Sequence, residues 1–231
     1  MRELRAVDFK IYVQALGTYF KNPVVALAPL AAGLANVILS IGLAGGMIAW
    51  LLSFMINLFG LAVAVIFADY AWRARSVSMS QVWDDTRRKA GDILLASIGA
   101  LFLIALPSLF LGIFGTLVPI FQGIACTFAM YAIPAAAIGG TPGAIALQNS
   151  VDRTRAFPVT TVILFLACYG AYACAPLLSG AFLALIGSRI DAALYIPITL
   201  IVSAVTQAFS LGYIALVLAK VYTVTSYGRR F

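Results

Sequence analysis

The sequence predicts an all-α polytopic membrane protein with six transmembrane helices, and three observations support this prediction. The chain has 231 residues, of which 63% are hydrophobic and only 10% are charged, whereas a soluble domain carries about 25% charged residues. Its apolar stretches leave room for six segments of the roughly 20 residues that cross a bilayer. They cover residues 24–72, 93–139, 159–187 and 192–219, and the basic residues lie between them. We therefore expect a single integral membrane domain over 1–231.

The placement of the basic residues predicts the orientation of the chain. Segments 1–23, 73–92, 140–158 and 220–231 hold every Lys and Arg except Arg189. Positive charge collects in the cytosolic loops of membrane proteins, so we expect both termini in the cytosol and the protein in a bacterial inner membrane. The same placement explains the net charge of +7 without nucleic acid, which we do not expect as a partner.

An amphipathic segment precedes the first pair of spans. Its apolar side chains recur three and four positions apart, as on one face of a helix. Within residues 8–21 they are Phe9, Tyr12, Val13, Leu16, Tyr19 and Phe20. Asn22-Pro23 ends this helix, and spans one (24–43) and two (47–71) follow. The aromatic face opposite lysines suits a helix at the level of the lipid headgroups; a helix packed under the bundle is the other interpretation.

Two further amphipathic segments precede two further pairs of spans. The second covers residues 78–90, with Met79, Val82 and Trp83 on one face. The third covers residues 141–157 and begins at Thr141-Pro142, where proline suits the first position of a helix. The spans that follow them are three (93–113), four (117–137), five (160–186) and six (192–219).

The order of these elements predicts one structural unit used three times, over residues 7–73, 74–140 and 141–225. Features that occur once in each unit are a glutamine of the amphipathic segment (Gln14, Gln81, Gln148), a helix-ending signal (Pro23, Gly91, Pro158), a proline in the first span (Pro29, Pro107, Pro176) and an amide in the second span (Asn57, Gln122, Gln207). The sequence Phe67-Ala-Asp-Tyr-Ala71 also recurs as Phe128-Ala-Met-Tyr-Ala132. We therefore expect three hairpins, each preceded by a cytosolic amphipathic helix.

Three features resemble a grouping of uncharacterised bacterial six-helix membrane families, which includes the membrane domain fused to some glycerophosphodiester phosphodiesterases. They are Lys21-Asn-Pro23, the basic segment between hairpins one and two, and the stretch from Gly143-Ala144 to Ser150 before span five. The resemblance implies a six-helix architecture. The resemblance implies no catalytic residues in this chain, because the catalytic activity of those fusions belongs to a separate soluble domain.

The chain lacks the groups that intramembrane chemistry needs. It contains no histidine, which is the commonest general base and metal ligand, and the spans hold no carboxylate pair. Asp84-Asp85 stands beside three basic residues and indicates a solvated helix face. Cys126, Cys168 and Cys174 show no metal-type spacing. We therefore predict a protein that is not an enzyme and that uses no cofactor or metal.

Four polar residues in the predicted spans are candidates for a site. Asn57, Gln122 and Gln207 lie on the second span of each unit and would converge if the units surround a threefold axis. Amides in lipid also hydrogen-bond across helices as ordinary stabilising contacts, worth roughly 0.6–2 kcal/mol. Asp69 is an ionisable residue within a span. Its spacing from Arg73 favours an i,i+4 ion pair over an ion or proton site.

These features leave two functional hypotheses. The favoured one is a non-enzymatic accessory or scaffolding component that packs with other integral membrane proteins, with lipids of the bilayer or with copies of itself. The alternative is a small-molecule or ion transporter or channel with the four polar residues at the centre of the bundle. Arg87, Arg88 and Lys89 are further candidates, for contacts with the headgroups of anionic lipids.

Overall fold

The computed structural model describes residues 8–42, 46–73, 78–109, 115–186 and 192–227. The helices, in chain order, are α1 (Lys10–Lys21), α2 (Leu27–Gly42), α3 (Met47–Arg73), α4 (Met79–Leu109), α5 (Val118–Ala129), α6 (Ala132–Ala137), α7 (Gly143–Ala156), α8 (Pro158–Ile186) and α9 (Ala192–Tyr227), with 3₁₀ turns at Pro23–Ala26 and Gly115–Leu117. The predicted all-α class is confirmed. The loop around Gly45-Gly46, the loop after span five and the C-terminal tail lie wholly or partly outside the described residues.

Five segments are long and apolar enough to cross a bilayer, as predicted for spans two to six. They are Ile48–Arg73, Met79–Ser108, Gly115–Ala137, Pro158–Ile186 and Leu194–Ser226. The predicted first span, which α2 forms, passes the same test only when it is counted together with α1. Within the described ranges the fold is that of a multi-pass membrane protein with five such segments, or six if this bent pair is one span.

The bend between α1 and α2 lies at Asn22 and measures 94°. The backbone N–H of Asn22 donates to the carbonyl oxygens of Thr18 and Tyr19 at 3.0 and 3.1 Å. Pro23 then starts the 3₁₀ turn, and it cannot extend α1 because it has no N–H to donate. The helix therefore ends where the sequence predicts, and α1 lies almost at right angles to α2.

The second amphipathic segment is not a separate helix. Helix α4 runs from Met79 to Leu109, so the prediction that Gly91 ends a helix is wrong. A glycine inside a helix costs only about 1 kcal/mol relative to alanine, and no proline or polar turn follows Gly91 to stop the chain. The amphipathic face therefore forms the first turns of the helix that becomes span three.

Span four forms one segment long enough to cross a bilayer, Gly115–Ala137, but its helix is interrupted for two residues near one end. Helix α5 ends at Ala129 and α6 begins at Ala132. The hydroxyl of Ser150, on α7, donates to the carbonyl oxygen of Phe128 at 2.6 Å and accepts from the backbone N–H of Tyr131 at 2.9 Å. These two bonds satisfy backbone groups that the break would otherwise leave without partners.

The amphipathic segments pack in a regular order. The first turns of α4 pack on α3, helix α7 packs on α4, α5 and α6, and α1 packs on α9. Each amphipathic segment thus contacts the hairpin before it in the chain, and the first one contacts the last hairpin. We call the end of the bundle where these segments lie the amphipathic end.

The core lies where the second spans of the three hairpins meet, towards the amphipathic end. Helices α3, α6 and α9 contact one another there, and their side chains include fully buried Val65, Ala135 and Leu216. The indole Nε1 of Trp72 donates to the carbonyl oxygen of Leu216 at 2.9 Å, which joins α3 to α9. Small side chains let these helices approach closely, as is usual in membrane bundles.

Candidate functional site

Two of the three predicted amides hydrogen-bond within their own hairpins. Asn36 Nδ2 donates to Asn57 Oδ1 at 2.8 Å, which joins spans one and two. Gln122 Nε2 donates to Ser108 Oγ at 2.7 Å, which joins spans three and four. Gln207 is half-buried on α9, and its side chain makes no hydrogen bond with the described residues. The convergence of Asn57, Gln122 and Gln207 on one polar site stays a prediction, and no hydrogen bond among the described residues joins any of these three to another.

Asp69 forms the ion pair that its spacing favours. Arg73 Nη2 lies 2.9 Å from Asp69 Oδ2, and Arg73 Nε donates to Asp69 Oδ1 at 3.1 Å. The side chain of Asp69 is 15% exposed and that of Arg73 is 66% exposed, so water screens the pair. A role for Asp69 in holding an ion or a proton stays a prediction.

Asp85 joins two helices, whereas the sequence predicts only a solvated acidic face. The phenol of Tyr70, on α3, donates to Asp85 Oδ2 at 2.9 Å. Arg88 Nη2 lies 3.3 Å from Asp85 Oδ1 on the other side. Asp84 is exposed, in agreement with the prediction. The difference arises because Asp85 faces α3, and a sequence pattern does not show which neighbouring helix will supply a donor.

The three basic candidates for lipid contacts have different surroundings. Arg87 is exposed, and it makes no hydrogen bond or ion pair with the part of the chain that the structure describes. Arg88 pairs with Asp85. Lys89 Nζ donates to the carbonyl oxygen of Ala137 at 2.9 Å, at the end of α6, where a positive charge is favourable. Arg87 is therefore the best placed of the three for a lipid headgroup.

Arg153 is a buried charge that the sequence interpretation missed. Its residue surface is only 3% exposed. Its Nη1 donates to Tyr222 O at 2.9 Å, Thr225 Oγ1 at 2.6 Å and Ser226 Oγ at 3.0 Å. Its guanidinium lies 4.0 Å from the centre of the Tyr222 ring. The sequence does contain a signal that this face of α7 is buried. Ala146, Ser150 and Arg153 share one helix face by spacing, and the first two are small residues of the type that helix interfaces prefer.

A groove of about 910 Å³ lies between α2, α3 and the first turns of α4. We call it the small-residue groove. Its lining includes Ala28, Ala31, Ala35, Gly60, Met79 and Trp83. Ala31, Met79 and Trp83 are exposed on the surface of the bundle. The groove is therefore open towards the surroundings of the protein. Small side chains line it on α2 and at Gly60, and larger apolar ones, such as Phe59 and Phe67, line it elsewhere on α3.

A second groove, of about 1060 Å³, lies between α1, α8 and α9. We call it the tyrosine groove. Its lining includes Tyr12, Tyr19, Gly170, Ala171, Phe209 and Tyr213. The phenol of Tyr213 donates to the carbonyl oxygen of Tyr12 at 3.3 Å, and the rings of Tyr19 and Phe209 pack edge to face at 6.0 Å. These contacts hold α1 against α9.

The fold and its apolar surface define the chain as a helical integral membrane protein in contact with the lipid bilayer. Comparisons with family models, with curated protein sequences and with solved structures found no match to this chain. In the described ranges, no three His, Cys, Asp or Glu residues are grouped as a metal site requires.

Proposed function

We propose that this integral membrane protein is a non-enzymatic accessory or scaffolding component that binds a transmembrane helix of another membrane protein. The small-residue groove carries the proposal, because it is an outward-facing apolar surface whose small side chains on α2 let a second helix pack closely. The positions of the basic residues support a bacterial inner membrane as its location, with the amphipathic end and both termini in the cytosol.

The α2 side of the groove has the small residues that are typical of a helix interface. Ala28, Ala31 and Ala35 follow one face of α2, and Gly60 lies on the neighbouring span. A Cβ atom at Gly60 would lie 2.7 Å from the Cβ of Ala32, so α2 and α3 are already in close contact beneath the groove. In lipid, helices associate through close packing of small residues, and this surface permits it.

The rim of the groove carries large apolar side chains that a partner would cover. Trp83 is 66% exposed and Met79 is 53% exposed, both on the first turns of α4. Tryptophan is enriched at the interface between membrane and water, where one side of the ring is apolar and the other is wet. The hydrogen-bonded amides Asn57 and Gln122 support a structural component over a transporter, because each already has a partner inside its own hairpin.

The test uses a variant that fills the groove and a matched control. The tagged protein would be extracted in mild detergent from membranes of the organism that encodes it, and then sized by light scattering with identification of stoichiometric partners. We expect the native protein to have a mass above the 24.5 kDa of one chain. The mass of Ala31→Trp should fall to that of one chain, and the mass of Ala184→Trp should equal that of the native protein. Both alanines are exposed, but Ala184 lies outside the groove.

Monomeric protein without a partner, in the unsubstituted chain and both variants, would contradict the proposal. Retention of the same partner by a well-folded Ala31→Trp variant would also contradict it, since the tryptophan would then occupy the proposed site without effect. A single symmetric peak for each variant shows that the comparison is between folded proteins.

A further inference from the structure

We infer that α1 is an interfacial helix that binds the phospholipid surface at the amphipathic end, with one apolar stripe among the acyl chains and its lysines at the level of the phosphates. The sequence pattern leaves two interpretations open, a helix at the headgroups and a helix packed under the bundle. The structure gives α1 one face for the bundle and leaves separate faces for lipid and water. No residue of α1 lines the small-residue groove, so the inference is independent of the proposed protein partner.

Helix α1 has three faces, each covering about a third of its circumference at 3.6 residues per turn. The first face packs on the bundle and buries Ile11, Ala15 and Tyr19. The second face is polar and exposed, with Lys10, Gln14, Gly17 and Lys21. The third face, which we call the outer stripe, is apolar, and its residues Phe9, Val13, Leu16 and Phe20 are 68%, 70%, 46% and 80% exposed. The bundle and water account for the first two faces only.

The direction of α1 brings the outer stripe to the membrane surface. Helix α2 packs on α3 and α9, which form two of the segments that are long and apolar enough to cross a bilayer. Helix α1 makes an angle of 94° with α2. When these segments cross the bilayer, α1 therefore runs along its surface, as interfacial amphipathic helices do.

The contact between α1 and α9 places α1 at one boundary of the hydrocarbon core. The phenol of Tyr213 donates to the carbonyl oxygen of Tyr12 at 3.3 Å. The apolar segment of α9 begins at Leu194, 213 − 194 = 19 residues before this contact, or about 28 Å at the helical rise. The hydrocarbon core of a bilayer is roughly 30 Å thick. The remainder of α9 continues past this level to Tyr227, so α1 lies where the acyl chains meet the headgroups.

The charges of α1 suit a phospholipid surface. Lys10 and Lys21 are exposed near the two ends of the polar face, which lies next to the outer stripe around the helix. In an interfacial helix the apolar face enters the boundary between headgroups and acyl chains while lysines stay on the polar face, where anionic lipids attract them. A helix with this direction and level is already beside a leaflet, whereas a protein partner would have to displace the lipid.

The test identifies what contacts the outer stripe by photo-crosslinking. The full chain, with p-benzoylphenylalanine in place of Val13, would be reconstituted in vesicles of phosphatidylethanolamine and phosphatidylglycerol, irradiated and analysed by mass spectrometry. We expect adducts with the mass of one phospholipid, at a yield at least fivefold above that of the same label in place of Gln14. Gln14 is the matched control, because it is the next residue of α1 and is exposed on the polar face.

Three results would overturn the inference. They are the absence of phospholipid adducts at Val13, equal yields at Val13 and Gln14, and a crosslink from Val13 to a protein chain, including a second copy, when the labelled protein is irradiated in native membranes. A second measurement tests the lysines. Lys10→Glu combined with Lys21→Glu should lower the share of phosphatidylglycerol among the Val13 adducts at least twofold, because the new carboxylates repel anionic headgroups. An unchanged share would reject the position of the lysines beside the phosphates.

Discussion

Asp92 and Gly143 form the contact that starts α7 on the side of α4. The backbone N–H of Gly143 donates to Asp92 Oδ1 at 2.9 Å. The carboxylate thus lies at the N-terminus of a helix, where negative charge is favourable. A Cβ at position 143 would collide with the backbone of Asp92. The glycine is therefore needed for the close approach of the two helices.

Gly143→Ala should lower stability. The added methyl group cannot fit against the Asp92 backbone without moving α7, and overpacking of this kind costs about 1–3 kcal/mol. Thermal unfolding in detergent, compared at one scan rate, should show a lower apparent Tm. Gly180→Ala is the control, because the same methyl group meets open space there. An unchanged Tm for Gly143→Ala would show that α7 is not held in this position.

Arg153→Lys should also destabilise the protein although it keeps the charge. A lysine has no planar guanidinium to lie over the Tyr222 ring while donating to the last turn of α9, and we expect a loss of about 2 kcal/mol or more. Arg155→Lys is the matched control on the same helix, and Arg155 is exposed. Equal Tm values for the two variants would contradict the role of Arg153 in joining α7 to α9.

Asn36 and Asn57 should show a coupling energy, and Asn57 and Gln122 should show none. Loss of either asparagine removes one hydrogen bond between spans one and two. The double-mutant cycle of Asn36→Leu and Asn57→Leu should therefore give a coupling energy of about 0.6–1.7 kcal/mol, the range for such bonds in membranes. The double-mutant cycle for Asn57→Leu and Gln122→Leu tests the alternative function, a transporter or channel with a shared polar site. A coupling above about 0.5 kcal/mol there would indicate that the amides converge on a shared site.

Tyr19→Phe should not destabilise the protein, although Tyr19 is buried. In detergent the variant should be as stable as the native protein or more so, because it removes a buried hydroxyl that has no hydrogen-bond partner among the described residues. Tyr169→Phe, at an exposed position of α8, should have the same Tm as the native protein. A lower Tm for Tyr19→Phe than for Tyr169→Phe would show that the hydroxyl contributes a hydrogen bond.

The sequence predicted those parts of the fold that depend on local signals. Apolar length identifies spans two to six, and Asn22-Pro23 marks the end of α1, because proline acts on its own neighbours. The continuous α4 and the interruption of the helix in span four depend on tertiary contacts. Gly91 is too weak a signal to stop a helix, and the break after Ala129 exists beside a serine twenty-one residues further on, at Ser150.

The candidate site was predictable to a smaller extent. The Asp69–Arg73 pair follows from helical spacing alone. The partners of Asn57 and Gln122 depend on the relative register of two helices, which a single sequence does not contain. The grooves are spaces between three helices each, and no pattern within one helix indicates a space between several.

The bond from Tyr213 to Tyr12 has a consequence for biosynthesis, because it joins residues 201 positions apart. A ribosome makes about 5–20 residues per second, so α1 is complete roughly 10–40 s before the part of α9 that it contacts. During that interval its aromatic face has no protein to pack on, and the membrane surface is the apolar phase within reach. Helix α1 therefore docks on α9 only some time after its own synthesis.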